Sequence, residues 1–144
     1  MHFLNQPKFF IVDDDNFCAN VYEQFLKNLS YTDVTYFNSG EKCLDHLHLR
    51  PNIIFLDHNM DELSGFEVLK KIKRYDPNIY VVMVSAQESI STAVEALKFG
   101  AFDYLVKDAN VCDNMGVTIQ KIIDINNEIS KSNYWGLRKL FNMF

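Results

Sequence analysis

The sequence predicts an α/β fold in which helices cover both faces of a parallel sheet, the doubly wound arrangement. Strand-like and helix-like segments alternate with a period of about twenty to twenty-five residues. Three short apolar runs also stop abruptly at polar residues, which is typical of strands buried on both faces. Because parallel strands are joined by right-handed crossovers, five βα repeats form one sheet with helices on either side.

Short apolar runs predict the five strands. The runs at 9–12, 53–56 and 80–84 end at Asp13, Asp57 and Ser85 respectively. A later run ends at Lys107 in the same way. The predicted strands lie at 8–13, 33–37, 52–57, 79–84 and 102–106.

Helical patterns fill the intervals between these strands. In the first of them, Val21, Phe25 and Leu29 recur at helical spacing, which predicts an apolar face. The predicted helices lie at 16–29, 40–49, 65–75, 89–99 and 111–130.

Two of these helices carry signals for their ends. Ser64 and Glu67 have the spacing of a capping box that opens the third helix, and Pro77 follows soon after its end. Gly100 stands where the fourth helix should close, because glycine tolerates the left-handed conformation of a C-terminal cap.

The last residues form a segment of different composition, with basic residues and aromatics but no acid after Glu128. We divide the chain into a domain at 1–130 and an extension at 131–144. Residues 130–133 resemble a linker or kink, and residues 134–143 predict a short amphipathic helix. Its apolar stripe could pack on the domain, form a homodimer or lead toward an effector.

Composition excludes several classes of protein. A chain of 144 residues with 48% apolar and 23% charged residues has the balance of one folded domain. The net charge of -5 argues against direct nucleic-acid binding, and no apolar run is long enough to span a membrane. Three widely spaced cysteines indicate reduced thiols, and no signal peptide precedes the first strand. We therefore expect a cytoplasmic protein.

Polar residues at the strand ends predict one shared pocket. Ligands of open α/β sheets bind beyond the carboxyl ends of the strands, where Asp13, Asp14, Asp57, Ser85 and Lys107 stand. Mg²⁺ prefers oxygen ligands and needs only one or two carboxylates when a phosphate completes its shell. Carboxylates, a hydroxyl and an ammonium therefore make a site for a divalent cation and a phosphoryl group.

Four motifs together resemble the CheY-like receiver domain of two-component response regulators, over about residues 7–130. They are listed in chain order as 11–15 (IVDDD), 54–60 (IFLDHNM) with Gly65 eight residues after Asp57, 84–86 (VSA) and 103–107 (DYLVK). This resemblance implies a flavodoxin-like (βα)5 fold with strand order 2-1-3-4-5.

The resemblance also implies roles for individual residues in phosphorelay signalling. Asp57 would accept a phosphoryl group from a phosphohistidine on a sensor histidine kinase or phosphotransfer protein. Asp13, Asp14, Asp57 and the backbone carbonyl of Asn59 would hold Mg²⁺ or Mn²⁺. The chain would then be no conventional enzyme but a phosphoacceptor that assists its own phosphorylation and dephosphorylation.

A second group of residues would sense the new phosphoryl group. Ser85 and Lys107 match the hydroxyl and the lysine that contact it, and Tyr104 matches the aromatic switch that alters a protein-interaction surface. Asn59 and Gln87 match positions that tune the lifetime of the acyl phosphate. The downstream effector is not indicated by the sequence.

Two positions depart from the pattern of this family. Asp61 and Asp108 stand where prolines commonly follow the methionine and the lysine. The family's bond before the second proline is typically cis, which costs about 2.5–4 kcal/mol before any other residue. We therefore expect the loop after Lys107 to follow a different path.

Two alternative functions compete with this interpretation. A phosphohydrolase resembling the haloacid dehalogenase superfamily would use Asp13 as nucleophile and Asp15 as acid/base, with Ser85 and Lys107 on the phosphate. A degenerate receiver would bind a partner without being phosphorylated. The first leaves Asp57 without a role, and the second leaves an intact set of acidic, hydroxyl and ammonium groups unexplained.

Overall fold

The computed structural model describes residues 6–141. Its five strands, β1 to β5, form one parallel sheet in the order β2-β1-β3-β4-β5, which confirms the predicted topology. Their bounds lie within one residue of the predicted ones at either end. The strands are β1 Phe9–Val12, β2 Val34–Phe37, β3 Ile53–Asp57, β4 Tyr80–Ser85 and β5 Asp103–Val106.

Five helices alternate with these strands. The second is shorter than predicted, because a 3₁₀ turn at Leu47–Leu49 replaces its last residues. The helices are α1 Asn16–Asn28, α2 Gly40–Asp45, α3 Gly65–Tyr75, α4 Ile90–Lys98 and α5 Val111–Phe141.

The predicted signals at the helix ends are confirmed. The Ser64 hydroxyl accepts a hydrogen bond from the Glu67 backbone N–H at 3.3 Å and opens α3. Gly100 has a φ of 102°, so it occupies the left-handed region that favours glycine at the end of α4.

The predicted break before the terminal helix is wrong. α5 runs without interruption through residues 130–133, so the extension continues α5 instead of forming a second helix. Residues 130–133 contain neither proline nor glycine, and nothing there removes an i→i−4 hydrogen bond. The last predicted helical residues, 142 and 143, lie outside the described part of the chain.

The core consists of two apolar layers, one on each face of the sheet. One contains Phe10, Leu56 and Met83 with side chains of α2, α3 and α4. The other contains Phe55 and Val84 with side chains of α1 and α5. Strands covered on both faces are a property of parallel sheets, and here they hold the strand ends in a rigid frame.

The three cysteines are free thiols. Cys43 is buried, and burial raises its pKa to about 12, while Cys18 and Cys112 are half-buried. None of the helices described is both long and apolar enough to cross a bilayer.

Candidate functional site

The four polar strand ends meet at one edge of the sheet. Asp13 follows β1, Asp57 ends β3, Ser85 ends β4 and Lys107 follows β5. Because β1, β3, β4 and β5 are neighbours in that order and all run parallel, their carboxyl ends lie side by side. The structure therefore brings together the residues that the sequence placed in one pocket.

Three carboxylates form an acidic cluster at this edge. One oxygen from each of Asp13, Asp14 and Asp57 lies within 4.8 Å of the others. Asp13 and Asp57 are 1% and 4% exposed, whereas Asp14 is exposed and leaves a side open to solvent. An all-oxygen donor set that is partly open to water fits a hard divalent cation, which retains several water ligands.

Lys107 is the cation paired with this cluster. Its Nζ lies 2.9 Å from Asp13 Oδ2 and 3.2 Å from Asp57 Oδ1. Burial alone would lower the pKa of Lys107, but the hydrogen bond to Asp13 and the charge of Asp57 outweigh burial and raise it. The ammonium is therefore charged at neutral pH, and one positive charge faces three carboxylates.

The pKa of Asp57 reflects first its burial and then this imbalance of charge. Burial, reinforced by repulsion from Asp13, raises the pKa of Asp57 to about 6 although Lys107 acts in the opposite direction. At pH 7 the carboxylate is mainly ionised, yet it is more basic than an ordinary aspartate. A more basic carboxylate is a better nucleophile, and a bound cation would relieve its repulsion.

Asp15 belongs to the helix and not to the cluster. Its Oδ1 accepts hydrogen bonds from the backbone N–H groups of Phe17 and Cys18 at 2.9 and 3.4 Å, which caps α1. These bonds lower its pKa. A carboxylate that is held in its ionised form at a helix N-terminus is poorly suited to act as a general acid. The geometry therefore argues against the acid/base role that the hydrolase alternative assigns to Asp15.

Ser85 and Tyr104 both hold the loop between β4 and α4. The buried Ser85 hydroxyl accepts a hydrogen bond from the Gln87 N–H at 3.1 Å, and the Tyr104 hydroxyl donates to the Gln87 carbonyl at 2.9 Å. The backbone N–H of Lys107 donates to the Ser85 carbonyl at 2.7 Å. The proposed hydroxyl sensor and aromatic switch are thus linked through one residue, Gln87.

The loop after β3 places Asn59 at the rim of the site. Its backbone N–H lies 3.4 Å from Asp57 Oδ1, and its side chain is exposed, as is that of Gln87. Gly65 packs under this loop, because a Cβ there would lie 2.7 Å from both the Asp57 carbonyl and His58 Cα. The participation of the Asn59 carbonyl in metal binding stays a prediction.

The loop after Lys107 follows the different path expected from the missing proline. None of the described residues has a cis peptide bond. The Asp108 N–H, which a proline would lack, donates to the Val106 carbonyl at 2.9 Å. The Asp108 side chain then accepts from the Asn110 N–H at 2.9 Å just before α5 begins.

An acidic cavity of about 410 Å³ adjoins the cluster on the side of Asp14. Asp61, which replaces the family's proline, is one of its lining residues. Its charged lining consists of one lysine, Lys42, and five acids, Asp14, Glu41, Asp45, Asp61 and Glu62. An anionic substrate that approaches through this cavity would meet repulsion unless a cation stood in the cluster.

Two contacts near the site had no signal in the sequence. The Tyr36 hydroxyl on β2 reaches the Asp13 carbonyl at 2.8 Å. The hydroxyl of Thr118, on α5, donates to Asp103 Oδ2 at 3.0 Å, and Asp103 directly precedes Tyr104. Both depend on how distant segments pack, which local patterns do not specify.

Comparison with known proteins identifies the family. The sequence model of the response regulator receiver domain matches residues 9–115. The chain is 37% identical over 114 residues to the transcriptional regulatory protein ZraR of Escherichia coli O157:H7, covering 78% of this chain and 25% of that protein. It is 32% identical over 114 residues, with the same coverage, to the regulatory protein LuxO of Vibrio vulnificus strain YJ016. The chain thus spans about a quarter of these relatives.

Solved structures give the same result for the fold. The signal receiver domain of a putative LuxO repressor protein from Vibrio parahaemolyticus superposes with a TM-score of 0.79 at 25% identity, covering 88% of this chain and 97% of that one. A CheY-like receiver domain protein from Methanospirillum hungatei has a TM-score of 0.78 at 23% identity, covering 86% and 98%. The resemblance read from four motifs is confirmed, and the chain belongs to the response regulator receiver domain family of two-component phosphorelay signalling.

Proposed function

We propose that Asp57 is the phosphoacceptor of this receiver domain and that a sensor histidine kinase or phosphotransfer protein is its donor. The observation that carries the proposal is the position of Lys107, whose ammonium contacts both Asp13 and Asp57 inside a cluster of three carboxylates. This arrangement holds one basic, ionised nucleophile beside a fixed positive charge, which is what phosphoryl transfer requires of a protein.

In the proposed reaction, an Asp57 carboxylate oxygen attacks the phosphorus of a phosphohistidine. The new O–P bond forms as the N–P bond breaks, and the departing imidazole takes a proton from water. Lys107 compensates the negative charge that the phosphoryl group brings. Ser85 accepts a hydrogen bond from Gln87, so its own hydroxyl proton is available for a phosphoryl oxygen.

We further propose that Mg²⁺ or Mn²⁺ is the cofactor. Asp13, Asp14 and Asp57 would hold it, and the Asn59 carbonyl would be a further ligand. A divalent ion at this position supplies charge neutralisation for the incoming phosphoryl oxygens. The acidic cavity beside Asp14 makes this contribution necessary, because the donor is itself anionic.

Phosphorylation would act on the chain through the residues joined at Gln87. A phosphoryl group brings about two negative charges and strong acceptors, which can draw the Ser85 hydroxyl away from its present position. The loop that Ser85 shares with Tyr104 would follow, and the surface around Tyr104 would change. In this proposal the chain promotes its own phosphorylation and dephosphorylation, Asn59 and Gln87 tune the lifetime, and the output is a cytoplasmic protein–protein contact.

Intact-mass analysis after incubation with acetyl phosphate and Mg²⁺ tests the proposal. We expect an adduct of one phosphoryl group on the wild type that disappears in Asp57→Asn and in excess EDTA. Asp61→Asn is the matched control, because Asp61 is an exposed acid in the same loop and lies outside the cluster. An unmodified wild type would support the degenerate receiver, and an adduct retained in Asp57→Asn but lost in Asp13→Asn would support the hydrolase.

A further inference from the structure

Tyr36 contacts the acidic loop from outside the sequence motifs. It lies on β2, the edge strand beside β1, in register with Ile11. Its hydroxyl oxygen is 2.8 Å from the Asp13 carbonyl and 2.7 Å from Asn16 Oδ1. The ring therefore joins the edge strand to both ends of the loop that carries Asp13 and Asp14.

Each polar group of Asp13 has a different partner. Its N–H donates to the Phe37 carbonyl at 3.1 Å, its Oδ1 accepts from the Asp15 N–H at 2.9 Å, and its Oδ2 accepts from Lys107. The carbonyl is held by Tyr36. The contacts of the N–H and of Oδ2 fix the strand end and the carboxylate, whereas the Tyr36 bond to the carbonyl and the Asp15 bond to Oδ1 both act on the backbone that leads onward through Asp14.

That peptide determines where Asp14 stands. A peptide group is planar, so the direction of the Asp13 carbonyl sets the direction of the Asp14 N–Cα bond. Among residues 6–141, the exposed Asp14 carboxylate has neither a hydrogen bond nor an ion pair to hold it. Its position within 4.8 Å of the other two carboxylates therefore rests on the backbone of this loop, to which the Tyr36 bond contributes.

Asn16 is the second partner of the Tyr36 hydroxyl, and we call the contacts among Asn16, Tyr36 and the Asp13 carbonyl the brace. A tyrosine hydroxyl carries one proton, so it can donate to only one of the two oxygens near it. The structure places Asn16 Oδ1 toward Tyr36, and a reversal of this amide would let its NH₂ group donate to the Tyr36 oxygen while the hydroxyl donates to the Asp13 carbonyl. Asn16, Tyr36 and Asp13 then form a continuous chain of hydrogen bonds across the loop.

We propose that Tyr36 is a positioning residue that sets the divalent-cation affinity of the acidic cluster by orienting the peptide between Asp13 and Asp14. The inference rests on the proposed function only for the presence of a cation in the cluster. Tyr36 touches neither the cation nor the phosphoryl group, so it governs occupancy of the site and not the rate of transfer once the site is full.

Direct Mn²⁺ binding to the intact chain, measured from the paramagnetic resonance of free Mn²⁺, tests the inference. We expect Tyr36→Phe to raise the dissociation constant about three- to tenfold, the range that loss of one hydrogen bond produces. Tyr31→Phe is the matched control, because its half-buried ring packs on Phe9 and its hydroxyl has no hydrogen bond among the described residues. Its dissociation constant should equal that of the wild type.

Kinetics with acetyl phosphate separate positioning from a general loss of structure. In Tyr36→Phe the Mg²⁺ concentration for half-maximal phosphorylation should rise by the same factor, while the rate at saturating Mg²⁺ stays at the wild-type value. Asn16→Ala removes one contact of the brace and keeps the Tyr36 side chain. It should raise the Mn²⁺ dissociation constant as well, and it replaces Tyr36→Phe as the test if that variant does not fold.

Two outcomes would overturn the inference. Mn²⁺ binding by Tyr36→Phe and Asn16→Ala equal to the wild type would show that the brace has no effect on affinity. A lower melting temperature with an unchanged dissociation constant would show a purely structural role. Failure of the wild type to bind Mn²⁺ is a distinct result, which would remove the proposed metal site itself.

Discussion

The ammonium of Lys107 lies 3.2 Å from Asp57 Oδ1, although the two residues come from β3 and the end of β5, with β4 between them. The same ammonium lies 2.9 Å from Asp13, so it bridges two buried carboxylates. It is therefore both a component of the proposed reaction and the counter-charge of two buried carboxylates.

Removal of this ammonium should destabilise the domain at neutral pH. Lys107→Met leaves two buried carboxylates without a counter-charge, and we expect a loss of about 3 kcal/mol in the free energy of unfolding. Urea denaturation at pH 7 in EDTA measures it. Lys27→Met is the control, because its exposed pair with Glu23 should contribute less than about 0.5 kcal/mol. Similar losses in both variants would contradict the expectation.

Replacement of Asp57 should stabilise the metal-free domain in a pH-dependent manner. The pKa of Asp57 rises from 3.8 to about 6 on folding, so between these values the native state holds a proton that the unfolded chain has released. The contribution of Asp57 to stability therefore falls as pH increases from 4 to 6, and its cost is fully present above about pH 6. Asp57→Asn carries no such cost.

The stability difference between Asp57→Asn and the wild type in EDTA should be near zero at about pH 4 and reach roughly 2–3 kcal/mol at pH 7. Urea denaturation across this range is the measurement, with the exposed Asp61→Asn as a variant that should show no such trend. A difference that stays constant with pH, or that changes sign, would refute the assignment of a raised pKa to Asp57.

Substitution of Gly65 should destabilise the domain because there is no room for a side chain, and not because the backbone conformation requires glycine. A Cβ at this position meets the Asp57 carbonyl, His58 Cα and Met83 Cε, all within 2.8 Å. Gly65→Ala should cost about 1–3 kcal/mol and slow phosphorylation by displacing the loop that carries Asp57. Gly136→Ala, also in a helix but with nothing within 4 Å, should instead stabilise α5 by about 0.5–1 kcal/mol. Thermal unfolding of both variants provides the comparison.

The Thr118 hydroxyl should contribute to the packing of α5 on the sheet. It is 2% exposed and donates to Asp103 Oδ2, so Thr118→Val leaves a half-buried carboxylate oxygen without its donor. We expect a loss of about 1–2 kcal/mol by urea denaturation. Thr92→Val, on the partly exposed surface of α4, should change stability far less. Equal effects would mean that the hydrogen bond to Asp103 contributes nothing specific.

The fold and most of the site could be predicted because the relevant signals are local. Ser64 and Glu67 mark the start of α3, and its predicted range of 65–75 matches the structure. The strand ends at Asp13, Asp57 and Ser85 were predictable in the same way, because an apolar run that stops at a polar residue needs no distant information.

Side-chain partners from distant segments could not be predicted. The apolar spacing of Val21, Phe25 and Leu29 predicted the inner face of α1, but Val21 and Leu29 are exposed and the buried residues are Ala19, Tyr22 and Leu26. Helix rotation depends on what packs against it, and two apolar stripes compete on α1. The contact of Tyr36 with Asp13 likewise depends on the register of β1 and β2 across 23 residues.

The unbroken α5 joins the core of the domain to residue 141 through one continuous helix. Its 31 residues span about 46 Å, and Asn126 is its last buried side chain among residues up to 133. The helix backbone from Asn126 to Phe141 covers about 22 Å, so a rotation of the helix by about 10° about Asn126 would move residue 141 by roughly 4 Å. The Thr118 hydrogen bond joins α5 to β5, the strand that carries Tyr104. A small shift of β5 beside the site that rotated α5 would therefore move the C-terminal end of α5 by a larger distance.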